Sequence, residues 1–499
     1  MESVHSVLEA MHANDHRILL SSLLGPIVLI FCWIQWRYVY AAKPDFPVVG
    51  SITESDFRKA LEEGHRLYPN SPFILPTPMH PTVILPHSLI VSLLKGDRQH
   101  HYTIFVGRFT KFGEPADELD TAIRVDLTRN VEKNLQLFQE EVQYAFAQNV
   151  GDCHTWTAIP GYERMLKIIS LLSSRVFVGL PLSRQEEWIK TTCQYALDGG
   201  AGAHALTPFP PALRPLVAPF LLGSLKKHRT LARRMMQPLL EKFEQTNGQN
   251  EDMGEDEITG GDLIKYILSH YKEPVTAERL ARDQLIATFV AMHTTTICLT
   301  QTLFDLAARP EYVAPLREEL EAILADDSHG DGRLHNTNLG KLSKMDSFIR
   351  ESQRVNPPGL VTMLRHVTAP GGLRLSTGHV IPQGTVVGIS NHAVTQSYPD
   401  ANVFDGFRYH KLRLQPGHET RHQLATTGLD ALSFGHGNHA CPGRFFAASE
   451  IKVVLAYLLQ HYDIKLEEGQ GRPENHHRGA IVSPSAEGTV LLRRRQASS

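Results

Sequence analysis

The chain has 499 residues, 42% of them hydrophobic, enough for one large buried core or two or three ordinary ones. A formal net charge of −3 argues against nucleic acid as a partner, because phosphate-binding chains carry a strong basic excess. The five cysteines, Cys32, Cys153, Cys193, Cys298 and Cys441, are scattered and odd in number, which suits a reducing compartment rather than a disulfide scaffold.

Residues 1–16 are polar and net acidic. The uncharged apolar run 18–34, extended through Gln35 and Trp36, approaches the ~20 residues that cross a bilayer. Trp33, Trp36, Tyr38 and Tyr40 suit an interfacial belt, with Arg37 and Lys43 downstream. A cleaved signal peptide fits less well, since the run is long, its flank is not basic and no small-x-small site follows. The expected organisation is a short lumenal tail (1–16), a transmembrane anchor (17–37), a proline-rich linker (38–50) and a catalytic domain (51–499).

Residues 72–76 and 82–86 are predicted as two short strands, and 131–142 and 162–178 as helices. Arg124 and Arg129 open this region as basic residues between which spacing does not choose. Gly199 to Gly202 and the run 208–222 form an apolar stretch too rich in proline for a regular helix. A helix from Lys226 to about Gln245 follows, and then an acidic linker over 246–262.

The longest predicted helix covers 279–308, ending before Pro310 and spanning ~45 Å. Its middle reads Val290-Ala291-Met292-His293-Thr294-Thr295-Thr296. Three adjacent threonines are poor helix formers whose hydroxyls compete for backbone carbonyls and can bend the helix. Farther on, Glu351 and Arg354 stand three apart on a helix that Pro357-Pro358 ends. Arg365 follows a strand-like run at 360–364, and 371–387 reads as a small sheet with turns at Gly378 and Gly384. Segments 462–466 and 488–492 are expected to pair as a last hairpin.

The loop from Phe434 to Arg444, Phe-Gly-His-Gly-Asn-His-Ala-Cys-Pro-Gly-Arg, presents Cys441 just ahead of an apolar helix. Three readings stand at this point: a buried small hydrophobe, a zinc ligand together with His436 and His439, or an axial thiolate for haem iron. Amide groups at a helix start favour the thiolate.

Phe434, Gly437, Cys441 and Gly443 resemble the haem-ligand signature of the cytochrome P-450 family, Phe-x-x-Gly-x-Arg-x-Cys-x-Gly, with His439 where most members have arginine. The resemblance implies a mainly α fold with small β-sheets, heme b (iron protoporphyrin IX) and Cys441 as its axial ligand. It further implies that Phe434, His439 and Arg365 contact the cofactor, the latter two at its propionates. On the long helix Thr294 takes the oxygen-activating hydroxyl position. His293 takes the place of the usual acid, which makes it a candidate proton source. Glu351 and Arg354 would form a structural triad with Arg408, in Phe404-Asp405-Gly406-Phe407-Arg408, and the greasy run near 208–222 would be a substrate-entrance lid facing the membrane.

By the same resemblance the chain is expected to be a monooxygenase of the endoplasmic reticulum membrane, with its catalytic domain cytosolic. Electrons would come from NADPH through a cytochrome P-450 reductase, with or without cytochrome b5, the reductase docking near Arg444 and Lys452. The substrate expected is a lipophilic molecule of fungal secondary metabolism, a terpenoid first, then a polyketide or alkaloid. Two other classes stay open: an oxygen-independent haem-thiolate isomerase or dehydratase, suggested by the lost acid at His293, and a zinc-binding module.

Overall fold

The computed structural model describes residues 44–77, 81–90, 100–101, 116–206, 209, 213–246, 260–326 and 330–496. The expected tail (1–16) and anchor (17–37) lie outside these residues. Among the described residues no helix is long and apolar enough to cross a membrane.

Helices carry the larger core. The principal ones are α1 (Arg58–Leu67), α2 (Val131–Asn149), α3 (Gly161–Phe177), α4 (Glu186–Leu206), α5 (Arg214–Leu221), α6 (Gly223–Thr246), α7 (Asp262–His270), α8 (Ala277–Ala307), α9 (Val313–Ala325), α10 (Ser343–Val355) and α11 (Arg444–His461). The 31-residue α8 is the axle of the fold. Thr276 caps its start by accepting from the Arg279 N–H, and α3, α4, α6, α10 and α11 all pack on it. Phe446 of α11 meets Phe138 of α2 edge-on at 5.1 Å and stacks on Phe177 of α3 at 5.4 Å. Burying one such ring stabilises by ~2 kcal/mol, so this trio ties three helices together.

The strands are β1 (Phe73–Leu75), β2 (Thr82–Leu85), β3 (His100–His101), β4 (Thr157–Pro160), β5 (Val361–Val367), β6 (Leu373–Arg374), β7 (Val380–Ile381), β8 (Val386–Ser390), β9 (Tyr462–Lys465), β10 (His476–Arg478), β11 (Ile481–Ser483) and β12 (Thr489–Arg494). The main sheet runs β1-β2-β8-β5-β3. The antiparallel β5–β8 register slips between Thr362 and Arg365, where Met363 takes φ +51°. Such a bulge re-aims the side chains beyond it, and Arg365 is the residue re-aimed.

Three expectations need correcting. Gly199 to Gly202 belong to α4, where Gly202 leaves room for Leu222: a Cβ there would stand 2.3 Å from Leu222 Cδ2. Most of the proline-rich run is helical too. Pro215 sits in the first turn of α5, where a missing N–H costs nothing, and Pro219 gives up one bond. The last two segments do pair, β9 with β12, yet β10 and β11 intervene and β4 flanks β12 on its other side. α8 is continuous through its threonines even though Thr294 and Thr296 turn their hydroxyls back onto the carbonyls of Val290 and Met292 at 2.6 and 2.7 Å, and its packing against five other helices holds it.

Candidate active site

The cysteine loop folds on its glycines. Gly435 (φ +66°) and Gly437 (φ +76°) occupy the left-handed region, which costs a side-chain-bearing residue about 1 kcal/mol. These turns bring the Cys441 N–H onto the Phe434 carbonyl at 2.7 Å, closing the loop just before α11 begins at Arg444. Cys441 is half-buried. Burial pushes its thiol up, while the Gly443 N–H and the Arg444 charge pull it down, toward the thiolate. Arg444 also donates to the Cys441 carbonyl at 2.9 Å.

Neighbouring elements brace the loop. Thr362 of β5 donates to the Leu432 carbonyl at 3.3 Å, and Thr427 lies 3.1 Å from His436 Nδ1. A π-helical turn, Ala122–Leu127, reaches it as well: Arg124 donates to the Asn438 carbonyl at 3.2 Å, and Ile123 lies 3.7 Å from where a Cβ on Gly443 would stand. Of the two arginines that spacing left equal, Arg124 is thus the one at the loop. Phe434 is half-buried against the helical core, whereas His439, on the turn Gly437–His439, is exposed. Arg365 is 4% exposed on β5 and donates to the Leu364 carbonyl at 2.9 Å.

On α8, Val290 is 47% exposed and Thr294, one turn on, is exposed too, while Met292, Thr295 and Thr296 are buried. In a helix packed by five others, this is a face that no side chain among the described residues covers. His293 points elsewhere: Nδ1 lies 3.5 Å from the Tyr162 hydroxyl on α3, and Nε2 lies 3.4 Å from the Cys193 carbonyl on α4. Burial pushes its pKa down, with the Cys193 carbonyl opposing.

Glu351, Arg354 and Arg408 do come together. The Glu351 carboxylate takes Arg354 Nε and Nη2 at 2.8 Å each, Arg408 Nε at 3.2 Å and the Asp405 N–H at 2.9 Å. Arg354 turns its remaining donor to the Ala401 and Thr395 carbonyls, and Arg408 bonds those of Pro399 and Val403. Glu351 is fully buried and Arg354 is 4% exposed, so the network locks α10 to the segment leading into the cysteine loop. Lys452, expected at a docking surface, is instead buried: it pairs with Asp346 at 2.6 Å and donates to the Leu339 carbonyl at 3.1 Å. Its position on the inner face of α11 is the reason.

Among the described residues no three His, Cys, Asp or Glu side chains converge on a metal-ion site, so the zinc reading finds none. A single cysteine without a second ligand among the described residues suits haem, whose ring would supply the other donors to the iron. The thiolate-favouring N–H at Gly443 and the cations Arg124 and Arg365 suit that group and its propionates.

A family model described as cytochrome P-450 matches residues 203–492. Over 450 aligned residues the chain is 43% identical to the cytochrome P-450 monooxygenase ataF of Aspergillus terreus, covering 88% of this chain and 90% of that one. It is 42% identical to gliF of Aspergillus fumigatus (90% and 92% covered) and 37% identical to ascG of Acremonium egyptiacum (95% and 96%), both also cytochrome P-450 monooxygenases. With this extent of likeness behind the loop, the helix and the buried triad, the chain belongs to the cytochrome P-450 family and is a monooxygenase.

Proposed function

We propose that the protein oxidises a lipophilic small molecule in fungal secondary-metabolite biosynthesis, a terpenoid before a polyketide or alkaloid, with electrons from NADPH passed through a reductase. The observation that carries the reading is a lone Cys441 on a loop closed by its own N–H onto the Phe434 carbonyl, together with the exposed Val290/Thr294 face of α8, which packs on α11. Cys441 would hold the iron of heme b, with Phe434 packed beside the group and Arg124, Arg365 and His439 as its polar contacts. Bound there, haem supplies the redox chemistry that splits dioxygen, and the thiolate donates electron density to that step.

The protein's own part is positional. Thr294 holds a hydroxyl on the open face of α8, already polarised by its bond to the Val290 carbonyl, and relays a proton to the reacting oxygen. Val290 keeps the same face apolar and excludes water. The triad keeps the cysteine loop in register and takes no part in the chemistry.

A membrane location, single-pass in the endoplasmic reticulum with the domain cytosolic, is supported by the apolar run 18–34 and by α5. There Leu216 and Phe220 are 67% and 86% exposed, with Lys226 and Lys227 exposed just beyond. The test is a binding screen of terpenoid, polyketide and alkaloid precursors by haem spectral shift, followed by product analysis with NADPH, reductase and dioxygen. A product containing one atom from dioxygen, formed from a terpenoid, supports the reading. Turnover that continues without dioxygen and NADPH overturns it.

A further inference from the structure

The residue in the acid position of α8 is not arranged as an acid. We infer that His293 is a neutral positioning residue and that Tyr162 is its partner. The Tyr162 hydroxyl donates to His293 Nδ1, Nε2–H donates to the Cys193 carbonyl, and the ring latches the threonine turn of α8 to α3 and α4. The inference rests on the reading of Thr294 given above and adds what holds that hydroxyl in place.

The tautomer follows from the partners. A carbonyl only accepts, so the nitrogen facing Cys193, at 3.4 Å, must carry a hydrogen. The other nitrogen, 3.5 Å from the phenol, is then free to accept. A second proton on the ring would bury a charge, and no carboxylate among the described residues offsets that cost. The groups around it are the Tyr162 phenol from α3 and the Cys193 backbone from α4, and the Cys193 thiol is engaged with Ser170 Oγ at 3.3 Å. No carboxylate is among its hydrogen-bond partners or the causes of its shift, and burial is the largest of those causes. Both contacts are long, so each is weak alone, and their value is in fixing a direction.

The frame that aims Tyr162 is stiff. Gly161, the residue before it, opens α3 with its N–H on the Gly488 carbonyl at 2.9 Å. It also packs against Phe304 of α8, whose ring carbon Cε1 lies 2.6 Å from where a Cβ on Gly161 would stand. Tyr162 is therefore set at a fixed height on α8. Histidine suits the position because it both donates to a carbonyl and accepts from a phenol while uncharged. A carboxylate, which only accepts, would face the Cys193 carbonyl without a donor.

The test uses the haem-loaded full chain and two readouts. The first is hydrogen–deuterium exchange of peptides spanning 286–300. The second is hydrogen peroxide released per NADPH consumed with reductase and dioxygen, which needs no known substrate. Tyr162→Phe and His293→Ala are expected to raise exchange at least threefold and to raise the peroxide ratio. His293→Gln, whose amide keeps both a donor and an acceptor, is expected to restore both to within twofold of the parent, and His293→Asp to fail in both.

The opposite order, with Asp tight and Gln as leaky as Ala, makes His293 an acid and overturns the inference. Thr294→Ala is the control for the underlying reading. If it leaves the peroxide ratio untouched, that reading fails, and the exchange data alone judge the latch. Exchange unchanged in both Tyr162→Phe and His293→Ala overturns it.

Discussion

Glu351→Gln is the change the buried network makes most costly. The carboxylate is fully buried and accepts from four donors, three of them on two arginines. The amide keeps the shape, removes the charge, and turns an N–H₂ toward guanidinium groups that can only donate. Arg354, 4% exposed, is left with carbonyl partners and no counter-charge. Stranding one member of a buried ion pair costs about 3–5 kcal/mol, and the carbonyls that remain place this case near the lower end.

Urea unfolding of the detergent-solubilised full chain, followed by tryptophan fluorescence, reads the loss as a lowered midpoint with an unchanged slope. Glu351→Leu combined with Arg354→Met should recover part of it, because the more deeply buried of the two stranded cations is gone while Arg408 keeps its carbonyl partners. A loss below about 1 kcal/mol in the single variant, or a double variant worse than the sum of its parts, refutes the claim that the network holds this region by charge compensation.

Two further outcomes follow from single buried groups. Glu450 on α11 is fully buried and accepts from Ser173 Oγ at 2.7 Å, while its second oxygen has no partner among the described residues. Burial pushes its pKa up from 4.5 to about 8, so between those values the folded state binds a proton that the unfolded state releases. Its contribution is therefore present in full below about pH 4.5 and is lost as pH rises to about 8, by an amount on the order of 5 kcal/mol. Glu450→Gln should remove that slope from the pH dependence of the urea midpoint, and an unaltered slope contradicts the assignment. Gly161→Ala places a methyl 2.6 Å from the ring of Phe304, itself fully buried, and should destabilise by about 1–3 kcal/mol in the same assay.

The placements that depend on short-range spacing were legible: the glycines and Cys441 within one loop, Glu351 and Arg354 on one helix turn, and the threonine run inside a long helix. What the chain order could not carry was the direction of a side chain in three dimensions. His293 and Thr294 are adjacent in sequence, yet about 100° of helix rotation puts one between α3 and α4 and the other on the uncovered face. Lys452 reads as a surface cation until α11 is seen to turn it inward onto Asp346. Arg124 and Arg129 differ in that only Arg124 meets Asn438, a contact across more than three hundred residues. Tyr162 had no signal at all, being one of the chain's 14 tyrosines in no recognisable pattern. The proline-rich run misled for a simpler reason: proline breaks the interior of a helix, whereas Pro215 stands in its first turn.

The claim on which the rest depends is that Cys441 binds haem iron as a thiolate. Reduction of the purified full chain under carbon monoxide tests it directly. The parent protein should show the red-shifted absorption band of thiolate-ligated haem, and Cys441→Ser should lose that band while remaining folded by circular dichroism. A parent protein that binds haem without the band, or a Cys441→Ser variant that keeps it, would place the iron on another ligand and contradict the account.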